Sequence, residues 1–290
     1  MSNQNTRLGI TLMGVAMLIF AAQDALSRHL AGEYNVFMVV MVRYWFFAAF
    51  VLTIATRAPG GIRAAAATKQ PLLQIGRGVL LVAEICVMVS AFTLLGLVES
   101  HAVFASYPLL VAALSGPVLG ERVGRIRWVA IGIGFVGVII ILRPGLGVFS
   151  IYALIPLLSA AMFALYALLT RYAARKDSAA TSFFWTGIAG AVAISVVGVW
   201  YWEPMTAPDW GWMTLLCITG VAGHWALIRC YEVAEANVLQ PFAYLQLVFA
   251  SAVGVAVFAE TLSLYVVLGG SIIVGAGLFT LWREQRARRT

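Results

Sequence analysis

Charge is what this sequence has least of. Only 11% of its 290 residues are Asp, Glu, Lys or Arg, and 62% are hydrophobic. A soluble domain carries roughly 25% charged and about 45–50% apolar residues. The deficit excludes a water-facing globule, whose exterior could not be solvated, and makes the bilayer the solvent; a mean hydropathy of +0.94 agrees. Cysteine is scarce too. Cys86, Cys217 and Cys230 are odd in number, lie in or at the end of apolar runs, and form no CxxC or CxxH spacing, so neither a disulfide framework nor a zinc site is indicated. There is no Walker lysine motif, no HExxH and no GxSxG, and Asp24 is the only Asp within a span. ATP drive and intramembrane catalysis therefore lack their residues: no catalytic residue, metal or cofactor is expected. A channel would need a ring of repeated polar groups, which is also missing.

What is present is a series of long apolar runs. Hydrocarbon leaves no partner for a free backbone group, so spanning segments are helices or closed barrels. Runs this long, without alternation, are helices. Ten fit, at 8–27, 35–56, 72–96, 102–119, 126–143, 150–171, 181–202, 211–231, 238–258 and 263–282. The first run, Leu8–Leu26, lacks a strongly basic start and a small-residue cleavage site, so it reads as a retained span. The net charge of +7 lies in short segments between runs, which excludes the clustered patch a nucleic-acid binder needs. With the N-terminus in the cytoplasm, Arg7, Arg57, Arg63, Lys69, Arg122, Arg125, Arg127, Arg171, Arg175, Lys176, Arg283, Arg286, Arg288 and Arg289 fall inside. Only Arg28 and Arg143 fall outside, so the positive-inside rule puts both ends in the cytoplasm. The Arg-rich end reads as an anchor for anionic membrane lipid.

The chain also resembles itself. Tyr107-Pro108-Leu109-Leu110-Val111-Ala112 followed by Gly120-Glu121 matches Gln246-Leu247-Val248-Phe249-Ala250 followed by Ala259-Glu260 at an offset of 139. Phe20-Ala21 and Ser27-Arg28 match Phe163-Ala164 and Thr170-Arg171 at an offset of 143. The expectation is an all-α integral membrane fold of ten transmembrane helices, built as two five-helix repeats over 1–145 and 146–290. Five being odd, the second repeat inserts upside down. Inverted repeats are typical of secondary carriers, with a site near mid-membrane between the halves.

Ionisable groups inside spans are costly and usually face a cavity or a partner. Glu84 lies at the middle of span three, His224 near the middle of span eight, and Arg43 a third of the way along span two. An offset of 136 sets Gly220 opposite Glu84, so the carboxylate breaks the internal symmetry. Glu84 reads either as a partner for Arg43 or Arg77 or as a substrate or proton site. His224 reads as a helix-bridging imidazole or a proton-responsive group. His29 and His101 fall at span ends. Arg229 and Glu232, three apart, read as a scaffold ion pair. Trp200, Trp202, Trp210 and Trp212 form an interfacial belt. Gly132-Ile133-Gly134-Phe135-Val136-Gly137 spells GxGxxG, but inside a span it serves close helix packing and not a dinucleotide.

Pro108-Leu109-Leu110 with Gly120-Glu121, repeated in degraded form before Glu260, resembles the EamA-type carriers of the drug/metabolite transporter superfamily. Nearly the whole chain is covered, with the likeness nearest to YddG-type amino-acid exporters. The resemblance implies a bacterial inner-membrane carrier that exports amino acids or similar small metabolites by alternating access. It also implies that spans four and nine line the cavity, which adds Tyr107, Tyr244 and Gln246 to Glu84, His224 and Arg43 as substrate-binding residues. Pro108 and Pro241 would interrupt those spans, and Gln240 shares a face with Tyr244. Partners are then a small-molecule substrate and membrane lipid, with a monomer as the expected unit. A broad exporter of cationic drugs is the alternative, for which one carboxylate and several aromatics would suffice.

Overall fold

A computed structural model of the chain describes residues 5–120, 124–142, 151–234, 239 and 242–287. Glu121, Arg122, Arg143, Gln240, Pro241, Arg288 and Arg289 lie outside the described residues. The described elements are α1 (Thr6–Glu33), α2 (Val36–Arg57), α3 (Gly61–Ala66), α4 (Pro71–Leu95), α5 (Leu97–Phe104), α6 (Tyr107–Leu119), α7 (Arg125–Leu142), α8 (Leu154–Ala173), α9 (Ala179–Gly198), α10 (Ala207–Val233), α11 (Leu245–Phe258) and α12 (Leu264–Ala287). Eight stretches are long and apolar enough to cross a membrane, and two shorter apolar helices, Leu245–Phe258 and Leu264–Thr280, complete the set. The protein is an all-helical, multi-pass membrane protein.

Local chemistry sets several helix starts. Asn5, Asn35, Ser178 and Thr206 place side-chain oxygens on the first free amides of α1, α2, α9 and α10, the positions where such caps are worth about 1 kcal/mol each. Pro71 opens α4, where no amide hydrogen is needed. Span four begins earlier than expected, at Leu97, and is broken at Ala105 and Ser106 into α5 and α6. The cause is Pro108, whose ring displaces the carbonyl four residues back, that of Phe104. Span nine has the equivalent interruption, a turn at Tyr244, which aligns with Ala105 in the 139-residue repeat.

Neighbouring helices reveal the symmetry. Span one packs on span eight as span three packs on span six; span four packs on span six as span one packs on span nine; two packs on seven and five on ten. Adding five to either member reproduces the set with partners exchanged, as a two-fold axis requires. Because each half has an odd number of spans, that axis lies in the membrane plane and the halves are inverted.

Spans five and ten cross through bare backbone. A Cβ on Gly137 would lie 2.6 Å from the Gly269 carbonyl oxygen, and one on Gly269 would lie 2.5 Å from that of Gly137. Gly132, of the same GxGxxG run, faces open space. Gly137→Ala is therefore expected to lower stability by about 1–3 kcal/mol. Gly132→Ala should be neutral or slightly stabilising, since alanine is the better helix former. Thermal denaturation in one detergent, comparing the two variants, decides this; equal melting would mean the crossing is not tight.

Candidate functional site

Between the halves lies a cavity whose walls carry far more polarity than a membrane interior tolerates without use. Span one contributes Gln23 and Asp24, span two Arg43, span three Glu84, α5 His101, span eight His224 and span nine Gln246. Phe20, Phe92, Phe104 and Phe163 supply the apolar walls. The open space admits about 50 Å³ of water centres, room for roughly three to five waters. A drug-sized ligand needs about 300 Å³ or more, so the space in this structure is smaller than such a ligand.

Each carboxylate has a neutral or histidine partner. The Ser159 hydroxyl donates to Glu84 Oε1 at 2.6 Å. Gln246 Nε2 donates to Asp24 Oδ2 at 3.1 Å, and His101 Nε2 lies 3.1 Å from the same oxygen, an ion-pair distance without hydrogen-bond alignment. His101 is stacked on Phe92. His224 Nδ1 sits 3.0 Å from the Gly220 carbonyl, which requires the proton on Nδ1 and leaves Nε2 as its second functional nitrogen. The His224 ring meets the edge of Phe20.

Neither arginine expected beside Glu84 is its partner. Arg77 is fully buried within a cage of neutral acceptors: Gln74 Oε1, the hydroxyls of Tyr166, Thr170 and Thr186, and the Ser182 carbonyl. Arg43 is 96% buried yet makes no hydrogen bond or ion pair among the described residues.

Of the residues expected to bind substrate, Glu84, His224, Arg43 and Gln246 come together on this cavity, and Tyr107 and Tyr244 are not among its described walls. Tyr107 turns its ring onto Phe163, and its hydroxyl is buried without a hydrogen-bond partner. The Tyr244 hydroxyl is directed at Gly277 of span ten, where a Cβ would come within 1.9 Å. Both tyrosines pack the interrupted spans instead of facing the space between them. Arg229 and Glu232 form the expected ion pair on an exposed face. Gln23, Asp24 and His101 also line this cavity, and Ser159 reaches it through Glu84; none of the four is among the substrate-binding residues expected from the sequence. Asp24 carried the usable signal, being an ionisable residue within a span; His101 appeared to lie at a span end only because the start of α5 was placed too late.

A second polar assembly lies about one helical turn beyond Asp24 and His101. Glu260 accepts from the amides of Leu97 at 2.9 Å and Val98 at 2.7 Å, the first turn of α5, and pairs with Arg28 of span one. The Arg28 guanidinium also lies 4.0 Å above the Phe258 ring. His101 follows Leu97 by about one helical turn.

The architecture has known counterparts. A family model for the EamA-like transporter family matches residues 7–143 and again residues 150–282. The chain belongs to the EamA-like transporter family. As such it is a secondary transporter of small metabolites, of the drug/metabolite transporter superfamily, and not an enzyme. It is similar to the S-adenosylmethionine uptake transporter of Rickettsia prowazekii, 25% identical over 96% of this chain and 94% of that one. It is 27% identical to the riboflavin transporter of Brucella anthropi, over 96% of this chain and all of that one. A pseudopaline exporter of Pseudomonas aeruginosa is 26% identical over 58% of this chain and 60% of its own length. One solved crystal structure shares the fold, with a TM-score of 0.66 at 19% identity over 96% of this chain and 98% of that one. These likenesses carry the EamA-like family and not the finer YddG-type subgroup.

Proposed function

We propose that this EamA-like transporter carries a metabolite with an amino-acid end and a further cationic centre, S-adenosylmethionine being the candidate compound. The observation that carries the reading is the partnerless Arg43 guanidinium in the same cavity as the Asp24 and Glu84 carboxylates. A buried guanidinium without acceptors calls for them, and a carboxylate matches its fork with two. The cavity thus offers carboxylates for a cation and a guanidinium for an anion. S-adenosylmethionine has one carboxylate, one ammonium and one sulfonium, so it supplies the anion and a net positive charge together. The phenylalanine walls suit its adenine ring. Full-length relatives bearing that substrate in their names support the choice.

Simple amino acids fill the same charged groups but leave the aromatic walls idle. A cationic drug would leave Arg43 uncompensated, and so would riboflavin, which has no carboxylate. The same reading takes the carrier to lie in a bacterial inner membrane, as the family resemblance implies, with both ends cytoplasmic, which the distribution of Lys and Arg supports. Export and uptake are then the two directions of one reversible cycle, selected by the gradients across the membrane. The relatives' names include uptake carriers and an exporter.

The test is counterflow in vesicles containing the purified protein. Labelled S-adenosylmethionine should enter saturably against preloaded unlabelled compound. S-adenosylhomocysteine, which lacks the sulfonium charge, should compete about tenfold less well, the factor set by one unmet charge contact. Riboflavin-driven counterflow without movement of S-adenosylmethionine would overturn the assignment.

A further inference from the structure

Two unused groups in the cavity wall converge on one spot. Gln23 Oε1 is a buried acceptor without a hydrogen-bond partner, and Gln23 itself is 4% exposed. Arg43, equally buried, is the partnerless donor already described. Both reach the same point on span eight, at Gly220. A Cβ there would lie 2.8 Å from Arg43 Nε and 3.5 Å from Gln23 Oε1, so any side chain larger than hydrogen would displace the guanidinium. The Gly220 carbonyl is taken by His224 and is not free to satisfy Arg43.

We propose that Gln23, Arg43 and Gly220 form a dedicated subsite for the α-amino-acid end of the substrate. The guanidinium donates to the substrate carboxylate, Gln23 Oε1 accepts from the substrate ammonium, and Gly220, lacking a Cβ, lets both groups lie against span eight. This rests on the proposed function and deepens it by fixing the orientation of the substrate. Gly220 is the counterpart of Glu84 in the internal repeat. The same position therefore presents a carboxylate from one half and a guanidinium resting on bare backbone from the other. The asymmetry directs the sulfonium and adenine toward Glu84, Asp24 and Phe92, and the amino-acid end toward span eight. A bare amine or a bare acid satisfies only half of the subsite.

The experiment compares S-adenosylmethionine with its decarboxylated form as competitors of labelled S-adenosylmethionine counterflow. In the wild-type protein the decarboxylated compound should compete about ten- to a hundredfold less well, the worth of hydrogen bonds to a charged group. In Arg43→Gln the two compounds should become equivalent, because S-adenosylmethionine falls to the level of its decarboxylated form. Gly220→Ala, a mild change for a helix, should raise the half-saturation concentration for S-adenosylmethionine several-fold while moving the decarboxylated compound by less than about twofold. It keeps the test alive if Arg43→Gln fails to insert. Equal competition in the wild type, or discrimination that survives either substitution, overturns the subsite while leaving S-adenosylmethionine carriage standing. Absence of any S-adenosylmethionine counterflow in the wild type refutes the substrate reading first, and the subsite with it.

Discussion

Arg77→Met should be the most damaging single substitution away from the cavity, with an expected loss of at least about 3 kcal/mol of stability. Methionine matches much of the arginine stem, so the packing cost is small and the loss is polar. The guanidinium gathers acceptors from spans three, six and seven: Gln74 on its own helix, Tyr166 at 3.1 Å and Thr170 at 3.2 Å on α8, and Thr186 at 2.8 Å on α9. Without it these acceptors stay buried with no water to replace the donor, each at a cost of about 1–3 kcal/mol. The network continues outward, since Gln74 Nε2 also donates to Asp177 at 2.9 Å. Burial pushes the Asp177 carboxyl up, but hydrogen bonds from Thr68, Gln74 and the Lys69 amide outweigh it and hold the group below its usual range. Arg77→Lys should be intermediate, because an ammonium reaches fewer of the same acceptors. Thermal denaturation and the yield of monodisperse protein measure this. Arg77→Met melting with the wild type would show that the cage does not tie the three spans together.

Glu260→Gln should act on conformation more than on folding. The carboxylate holds two α5 amides and Arg28 at once, linking spans one, four and nine at a single point. Its neutral analogue keeps at most part of the amide cap and loses the ion pair, worth about 2 kcal/mol for partly buried groups. That is roughly a 30-fold change in population, directed toward opening at this end. A cysteine introduced at Phe92 should then react faster with an aqueous thiol reagent than in the parent. The charge-swapped pair Arg28→Glu with Glu260→Arg should recover only a fraction, because arginine accepts nothing from the Leu97 and Val98 amides. Gly96→Ala should mimic the loss. Gly96 has φ +84, where side chains are strained, and its Cβ would lie 2.7 Å from Glu260 Oε1. Unchanged thiol reactivity in all three variants would remove the latch from the transport cycle.

Hydropathy and charge position made the scaffold readable. Ten apolar runs, the arginines between them and the repeat at offsets of 139 and 143 are local properties, and they led to inverted halves before any contact was known. The ionisable residues of the site were readable in the same way: Glu84, His224 and Arg43 stand out because charge within a span is costly. Their partners were not. Glu84 bonds to Ser159, a hydroxyl with no special mark among the serines of the chain, and the expected Arg77 is satisfied elsewhere. His101 was misplaced because the start of α5 depends on Glu260, more than 160 residues away, and no local pattern encodes a cap supplied from such a distance. Tyr107 and Tyr244 were drawn toward the cavity by their position in broken spans. Which way a ring turns at a break depends on neighbours such as Phe163 and Gly277, and those are known only after packing.

The small size of the cavity has an osmotic side. A carrier that returned empty with a large wet chamber would shuttle water, and any ions dissolved in it, on every cycle. A space of about 50 Å³ holds only roughly three to five waters, and Asp24, Glu84, Arg43 and His224 in its walls give those few waters partners. An empty return through this state would carry little water and little dissolved salt with it.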